Sequence, residues 1–142
     1  IYQKAFEALK RAMERTDTKV DIAGCLPPLF ASYQGQPERS FEELRNEYAT
    51  LITLQEPADV MLIETMTNTL EARAACSVAR ELGKPFAVSF RLEVDGALKS
   101  GESLAEAVAA VMDYSPTAVM LNCCDLEILN VAMPQLVGMY PR

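Results

Sequence analysis

Histidine is absent from this chain of 142 residues, and so is tryptophan. The first absence leaves any metal site to draw its ligands from cysteines and carboxylates. Clusters of basic charge are missing too. Thirteen Lys and Arg stand against twenty Asp and Glu, a formal net charge of −7, and Lys10-Arg11 is the one adjacent basic pair. Nucleic acid and anionic membranes both demand clustered cations, so neither is expected as a partner. No apolar run approaches the ~20 residues of a membrane span, and the first residues lack the basic-then-apolar layout of a signal peptide. A cytoplasmic, reducing location is the simplest expectation. No G-x-G-x-x-G follows any apolar run, which argues against a dinucleotide site, and there is no P-loop.

What is present is a hydrophobic content of 50%, with 23% charged residues, ordinary for one globular domain of this length. Four cysteines (Cys25, Cys76, Cys123, Cys124) are an even number. The chain is nevertheless long and core-rich, unlike a small disulfide scaffold. Cys123 and Cys124 are adjacent, and a bridge between neighbours would strain the peptide joining them. Packing or metal binding are the better uses. The chain opens on Ile1 in helix-like sequence and stops just after another helix-like stretch, so a segment of something longer is expected.

Periodicity predicts a helix over residues 1–15, with Ile1, Tyr2, Ala5, Phe6, Leu9 and Met13 on one face. A strand and loop follow in KVDIAGCLPP (Lys19 to Pro28), and loop continues to Ser40. Ser40 with Glu43 reads as a capping box opening a helix from about Phe41 to Gln55. The apolar run ADVMLIET (Ala58 to Thr65) predicts a second strand. A helix over Thr69 to Leu82 is closed by Gly83. The strand KPFAVSFRL (Lys84 to Leu92), a Gly-punctuated loop and a helix led by Ser103 come next. TAVMLNC is the fourth strand, and the last helix carries Pro134 in its course.

Strand, loop and helix thus recur four times. Apolar strands separated by amphipathic helices imply parallel pairing in right-handed βαβ units, in an open sheet or a section of a barrel. Polar residues mark the carboxyl ends of all four strands: Gly24-Cys25, Glu64-Thr65, Ser89 to Arg91, and Asn122-Cys123-Cys124. In a barrel those ends converge on one mouth, where active sites are built.

Glu64 ends a buried strand, where a carboxylate could pair with a Lys or cap a helix, or could bind an ammonium or move a proton. Cys123 could be a small buried hydrophobe or a ligand. Strand alternation would send Cys123 and Cys124 to opposite faces, giving them separate jobs. Cys76 lies on a helix stripe and reads as core, as do most of the methionines. The acidic face of Glu38, Glu42, Glu43 and Glu47 reads as solvated. Gly96 and Gly101 suit tight turns or a mobile loop.

The ordered set IAGCLPP…SY, ADVMLIET, KPFAVSF…DGALKSGESLAEAV and AVMLNC resembles the homocysteine S-methyltransferase family over about Val20 to Leu136. That family includes betaine-, S-methylmethionine- and cobalamin-dependent methionine-forming enzymes. The resemblance implies an α/β fold of parallel βαβ units, part of a (β/α)8 TIM barrel at about strands three to six, with residues 1–142 a single segment. It implies zinc with Cys123 as one ligand, Glu64 holding the homocysteine ammonium, and Asn122 and Ser89 lining the substrate pocket. The family's Cys-Cys pair near its last strand is not matched by Cys123-Cys124, so the remaining ligands are expected outside the chain. Homocysteine and a methyl donor are the expected partners, with self-association through open strand edges. Two other readings stay open: a non-catalytic half-barrel, or another α/β-barrel enzyme with Glu64 as general base.

Overall fold

The computed structural model describes residues 2–16, 19–29, 35 and 38–140. Most of the loop expected after the first strand, with the Ser32-Tyr33 of the resembling motif, lies outside the described residues, as do Ile1, Pro141 and Arg142. Helices and strands alternate as α1 (Tyr2–Thr16), β1 (Ala23–Leu26), α2 (Phe41–Thr53), β2 (Val60–Met66), α3 (Thr69–Leu82), β3 (Phe86–Phe90), α4 (Leu104–Met112), β4 (Ala118–Leu121) and α5 (Leu126–Met139).

The four strands form one parallel sheet in the order β1-β2-β3-β4. Sequential order with right-handed crossovers puts every connecting helix on the same face. The packing agrees, since α2, α3, α4 and α5 lie side by side and α2, α3 and α5 rest on the strands. The sheet therefore has a helix-covered face and an open face.

Alternation along the strands separates the two. Met61, Ile63, Met66, Phe86, Val88, Phe90 and Val119 are buried beneath the helices with Leu26, Leu44, Tyr48 and Ala72 to Ala79. Cys25, Val60, Leu62, Glu64, Ala118 and Met120 occupy the alternate positions and are only half-buried. Gly24 lies on the covered side against Met61 and Ala58. A Cβ there would come 2.8 Å from the Met61 thioether and 3.1 Å from the Ala58 methyl, which is why a residue without a side chain stands at that point.

The caps follow the sequence. Ser40 and Ser103 each accept from the backbone three residues on, while Glu43 and Glu106 bond back to complete both capping boxes. Those bonds hold both carboxyls below the usual carboxylate range. Gly83 takes a left-handed conformation (φ 73) to end α3. Pro134 sits inside α5 without ending it.

Three expectations are corrected. The first strand begins at Ala23, not Lys19. The β4 strand ends at Leu121, so the Cys123-Cys124 doublet lies beyond it and strand alternation does not govern its geometry. Leu9, placed on the apolar face of the first helix, and Met112 and Met133, read as core, are exposed.

Candidate functional site at the strand ends

The β2 strand carries an irregularity where its polar end begins. Ile63 pairs with Val88 and Met66 pairs with Phe90, so Glu64 and Thr65 together stand opposite the single residue Ser89. This is a β-bulge, a device that re-aims side chains at strand ends. Ile63 and Met66 both stay buried on the helix side, and the bulge presents Glu64 and Thr65, each half-buried, between them. Thr65 takes φ 61, an uncommon conformation for a β-branched residue. Its amide donates to Ser89 Oγ at 3.1 Å in place of a ladder bond.

Ser89 is 1% exposed and its hydroxyl also reaches Ile63 O at 3.5 Å. The residue expected to line a pocket is thus bound up in holding the bulge. Asn122, just past β4, donates from Nδ2 to Thr65 Oγ1 at 2.9 Å, while its buried Oδ1 has no partner among the described residues. Cys123 follows in a left-handed conformation (φ 53), exposed, with its sulfur 3.9 Å from Thr65 Oγ1. Cys124 turns the other way. Its sulfur accepts from Leu92 N at 3.2 Å and donates to Asn122 O at 3.1 Å, and it packs against the core. The two thiols are separated by the backbone turn at Cys123, not by strand pleating.

On the open face Cys25 donates from its thiol to Glu64 Oε2 at 3.2 Å. Burial first, then the bond to Glu64 and its charge, push this thiol up to about 12. Cys25 therefore stays protonated at neutral pH, as the donor to Glu64. It is fixed by Gln55, a buried residue following α2, whose side chain accepts from Cys25 N and donates to Cys25 O, both at 2.8 Å. Sequence reading marked Thr65 at this end of the sheet without giving it a role, and it missed Gln55.

Glu64, Ser89, Asn122 and Cys123 thus all stand at the carboxyl end of one sheet, and Thr65 links β2 to β3 and to the segment that follows β4. A cavity of about 60 Å³ lined by Arg91, Leu92, Val94, Cys123, Cys124 and Ile128 opens beside the doublet. A larger one, about 340 Å³, lies between Val94 to Gly96 and α5 but includes none of the four expected site residues. The chemistry of the strand ends, not cavity size, marks the candidate site. Among the described residues no three Cys, Asp or Glu side chains group as a metal site. The donor chemistry fits a metal through one residue only: Cys123 offers an exposed soft sulfur, and any other ligands must come from elsewhere.

A model of the family described as homocysteine S-methyltransferase matches residues 1–141. No curated protein matches significantly. Two solved structures of the homocysteine methyltransferase MmuM from Escherichia coli share the fold. Its apo form gives a TM-score of 0.76 at 24% identity, covering 97% of this chain and 51% of that one. Its metallated form gives 0.83 at 22% identity, covering 98% and 52%. The chain spans about half the length of these structures.

Proposed function

The chain belongs to the homocysteine S-methyltransferase family, and we propose that it is the central portion of a (β/α)8 methyltransferase barrel, about strands three to six, that converts homocysteine to methionine. The observation that carries this reading is the convergence of an exposed thiol, a half-buried carboxylate and an amide at the carboxyl end of one sequentially ordered parallel sheet. Catalytic groups of such barrels gather at that end.

In this reading Cys123 supplies one thiolate ligand to a zinc ion, whose other ligands come from outside the chain. Bound zinc would lower the pKa of the homocysteine thiol so that a thiolate exists near neutral pH. The chain's own residues bind and orient. Glu64 has Oε2 engaged by Cys25, and nothing among the described residues donates to Oε1, which is left to accept from the substrate ammonium. Asn122 and Ser89 shape the pocket wall, Ser89 through the bulge that sets Glu64 in place. The substrate sulfur forms a bond to the donor's methyl carbon while the bond from that carbon to the donor breaks, its electron pair leaving with the donor. No helix among the described residues is long and apolar enough to cross a membrane.

The test uses the full-length protein. Homocysteine is offered with a sulfonium, a quaternary ammonium or a methylcobalamin donor, and methionine and bound zinc are measured for wild type, Cys123→Ser and Glu64→Gln. Loss of zinc in the first variant and a raised KM for homocysteine in the second are expected. Unchanged zinc in Cys123→Ser with activity lost in Glu64→Gln would instead favour Glu64 as a general base. A full-length protein with neither zinc nor turnover would favour a non-catalytic half-barrel.

A further inference from the structure

We propose that Arg91 recognises the carboxylate of the substrate, so that the site reads an α-amino acid by both of its charges, Glu64 taking the ammonium and Arg91 the carboxylate. The inference rests on the reading of homocysteine as substrate and fills a role which that reading leaves unassigned. Arg91 directly follows β3, and it is the one Lys or Arg among the described residues within two positions of a strand's carboxyl end. Its amide donates to Met66 O at 3.0 Å, which carries the β2–β3 pairing one residue past the strand. Phe90 and Leu92, on either side of it, are both buried in the core cluster. Alternation therefore turns the Arg91 side chain to the open side of the sheet, the side that carries Glu64.

Spacing and charge agree. Ser89 stands opposite Glu64 and Thr65, and Arg91 lies two residues further along β3. With strands ~4.8 Å apart and a rise of ~3.3 Å per residue, its backbone is about 8 Å from theirs. That separation suits a ligand whose ammonium and carboxylate share one carbon, because each side chain reaches one group. Arg91 also lines the cavity of about 60 Å³ beside Cys123, together with Glu93 and Asp125. At ~30 Å³ for each water, that space admits a carboxylate group and not a whole substrate. Glu93 pairs with Arg91 Nη1, and the two side chains are 28% and 17% exposed. A guanidinium carries five N–H groups in a fixed fork, so one such contact steadies it without exhausting its donors. Glu93 and Asp125 repel a bare anion, so the ligand that enters must bring its own positive charge, as a zwitterion does.

The experiment offers three thiols to the full-length protein: homocysteine, 3-aminopropanethiol, which lacks the carboxylate, and 4-mercaptobutanoate, which lacks the ammonium. Arg91→Gln is expected to raise the KM for homocysteine roughly 10–100-fold and to leave the KM for 3-aminopropanethiol unchanged, since that thiol has nothing for Arg91 to hold. In the wild type 4-mercaptobutanoate should be the poorest substrate of the three, and turnover equal to that of homocysteine would overturn the two-charge reading. Equal losses on homocysteine and 3-aminopropanethiol in Arg91→Gln, or no loss on homocysteine, would overturn the proposal while wild-type turnover leaves the functional reading standing. A wild type that transfers no methyl group to homocysteine would overturn the functional reading and this inference with it. If Arg91→Gln does not fold, Arg91→Lys keeps the charge without the fork and must show the same selective loss in smaller measure; equal KM changes for the two thiols overturn the proposal.

Discussion

The thiol of Cys25 donates to Glu64 Oε2 at 3.2 Å, joining the polar ends of β1 and β2 across the open face of the sheet. Because Gln55 clamps both backbone groups of Cys25, the thiol approaches the carboxylate from a fixed direction. Under the proposed function, Cys25→Ser in the full-length protein retains a donor and should leave the KM for homocysteine near wild type. Cys25→Val removes the donor at a cost of about 1 kcal/mol, roughly a five-fold rise in KM. Equal KM values for the two variants would remove Cys25 from the orientation of Glu64.

Burial of Cys25, with the Glu64 contact second, sets its reactivity and its part in alkaline stability. The thiolate is the nucleophile, and Cys25, with its thiol pushed up to about 12, offers almost none at pH 8. Buried Cys76, also pushed upward by desolvation, is shielded as well. Exposed Cys123 should therefore be the first of these three thiols alkylated by iodoacetamide, as mapped by mass spectrometry; first labelling of Cys25 would contradict the geometry. The sign for stability follows from the raised pKa. Below about pH 9 the Cys25 thiol is protonated in both folded and unfolded chains and carries no penalty. Between about 9 and 12 the unfolded chain loses the proton more readily, so stability falls with rising pH. Urea midpoints from pH 8 to 11 should decline less steeply in Cys25→Ser.

A buried carboxylate ties the start of the loop after β1 to two helices. Glu71, 3% exposed, accepts from Leu29 N at 2.6 Å, from Tyr48 Oη at 3.0 Å and from Asn68 Nδ2 at 3.2 Å. Burial and the neighbouring Glu71 hold the Tyr48 phenol well above its ordinary pKa, so it remains a donor. Tyr48→Phe leaves that oxygen one donor short and should cost about 1–3 kcal/mol. Urea denaturation should show a lower midpoint with unchanged slope; an unaltered midpoint would mean another donor takes over.

The element order was legible because its punctuation is chemical: Ser40 with Glu43, Ser103 with Glu106 and Gly83 each announce a helix end. Apolar runs flanked by those ends could only be strands of a parallel sheet, and the residues at their carboxyl ends were the natural candidates for a site. The bulge was not legible. A threonine carries no sequence mark for φ 61, since its β-branch disfavours that conformation and only the Ser89 and Asn122 bonds hold it there. Gln55 escaped for a similar reason, because its two bonds to Cys25 span thirty positions of sequence. Leu9 misleads differently: periodicity reports which face of a helix is apolar, not whether anything covers it.

The uncovered face leads to the last expectation. In the described chain β1 and β4 each pair on one side only, and Val60, Leu62, Ala118 and Met120 are half-exposed between them. Unpaired edges invite pairing with another copy, and apolar surface beside them adds to the attraction. The 142-residue chain alone should therefore self-associate at micromolar concentration, seen as a sedimentation coefficient that rises with loading. With one ligand sulfur it should also hold well under one zinc per chain after dialysis. A dispersed monomer would show that something within the chain covers the open face. A full zinc equivalent would show that the chain, or a second copy of it, completes the coordination by itself.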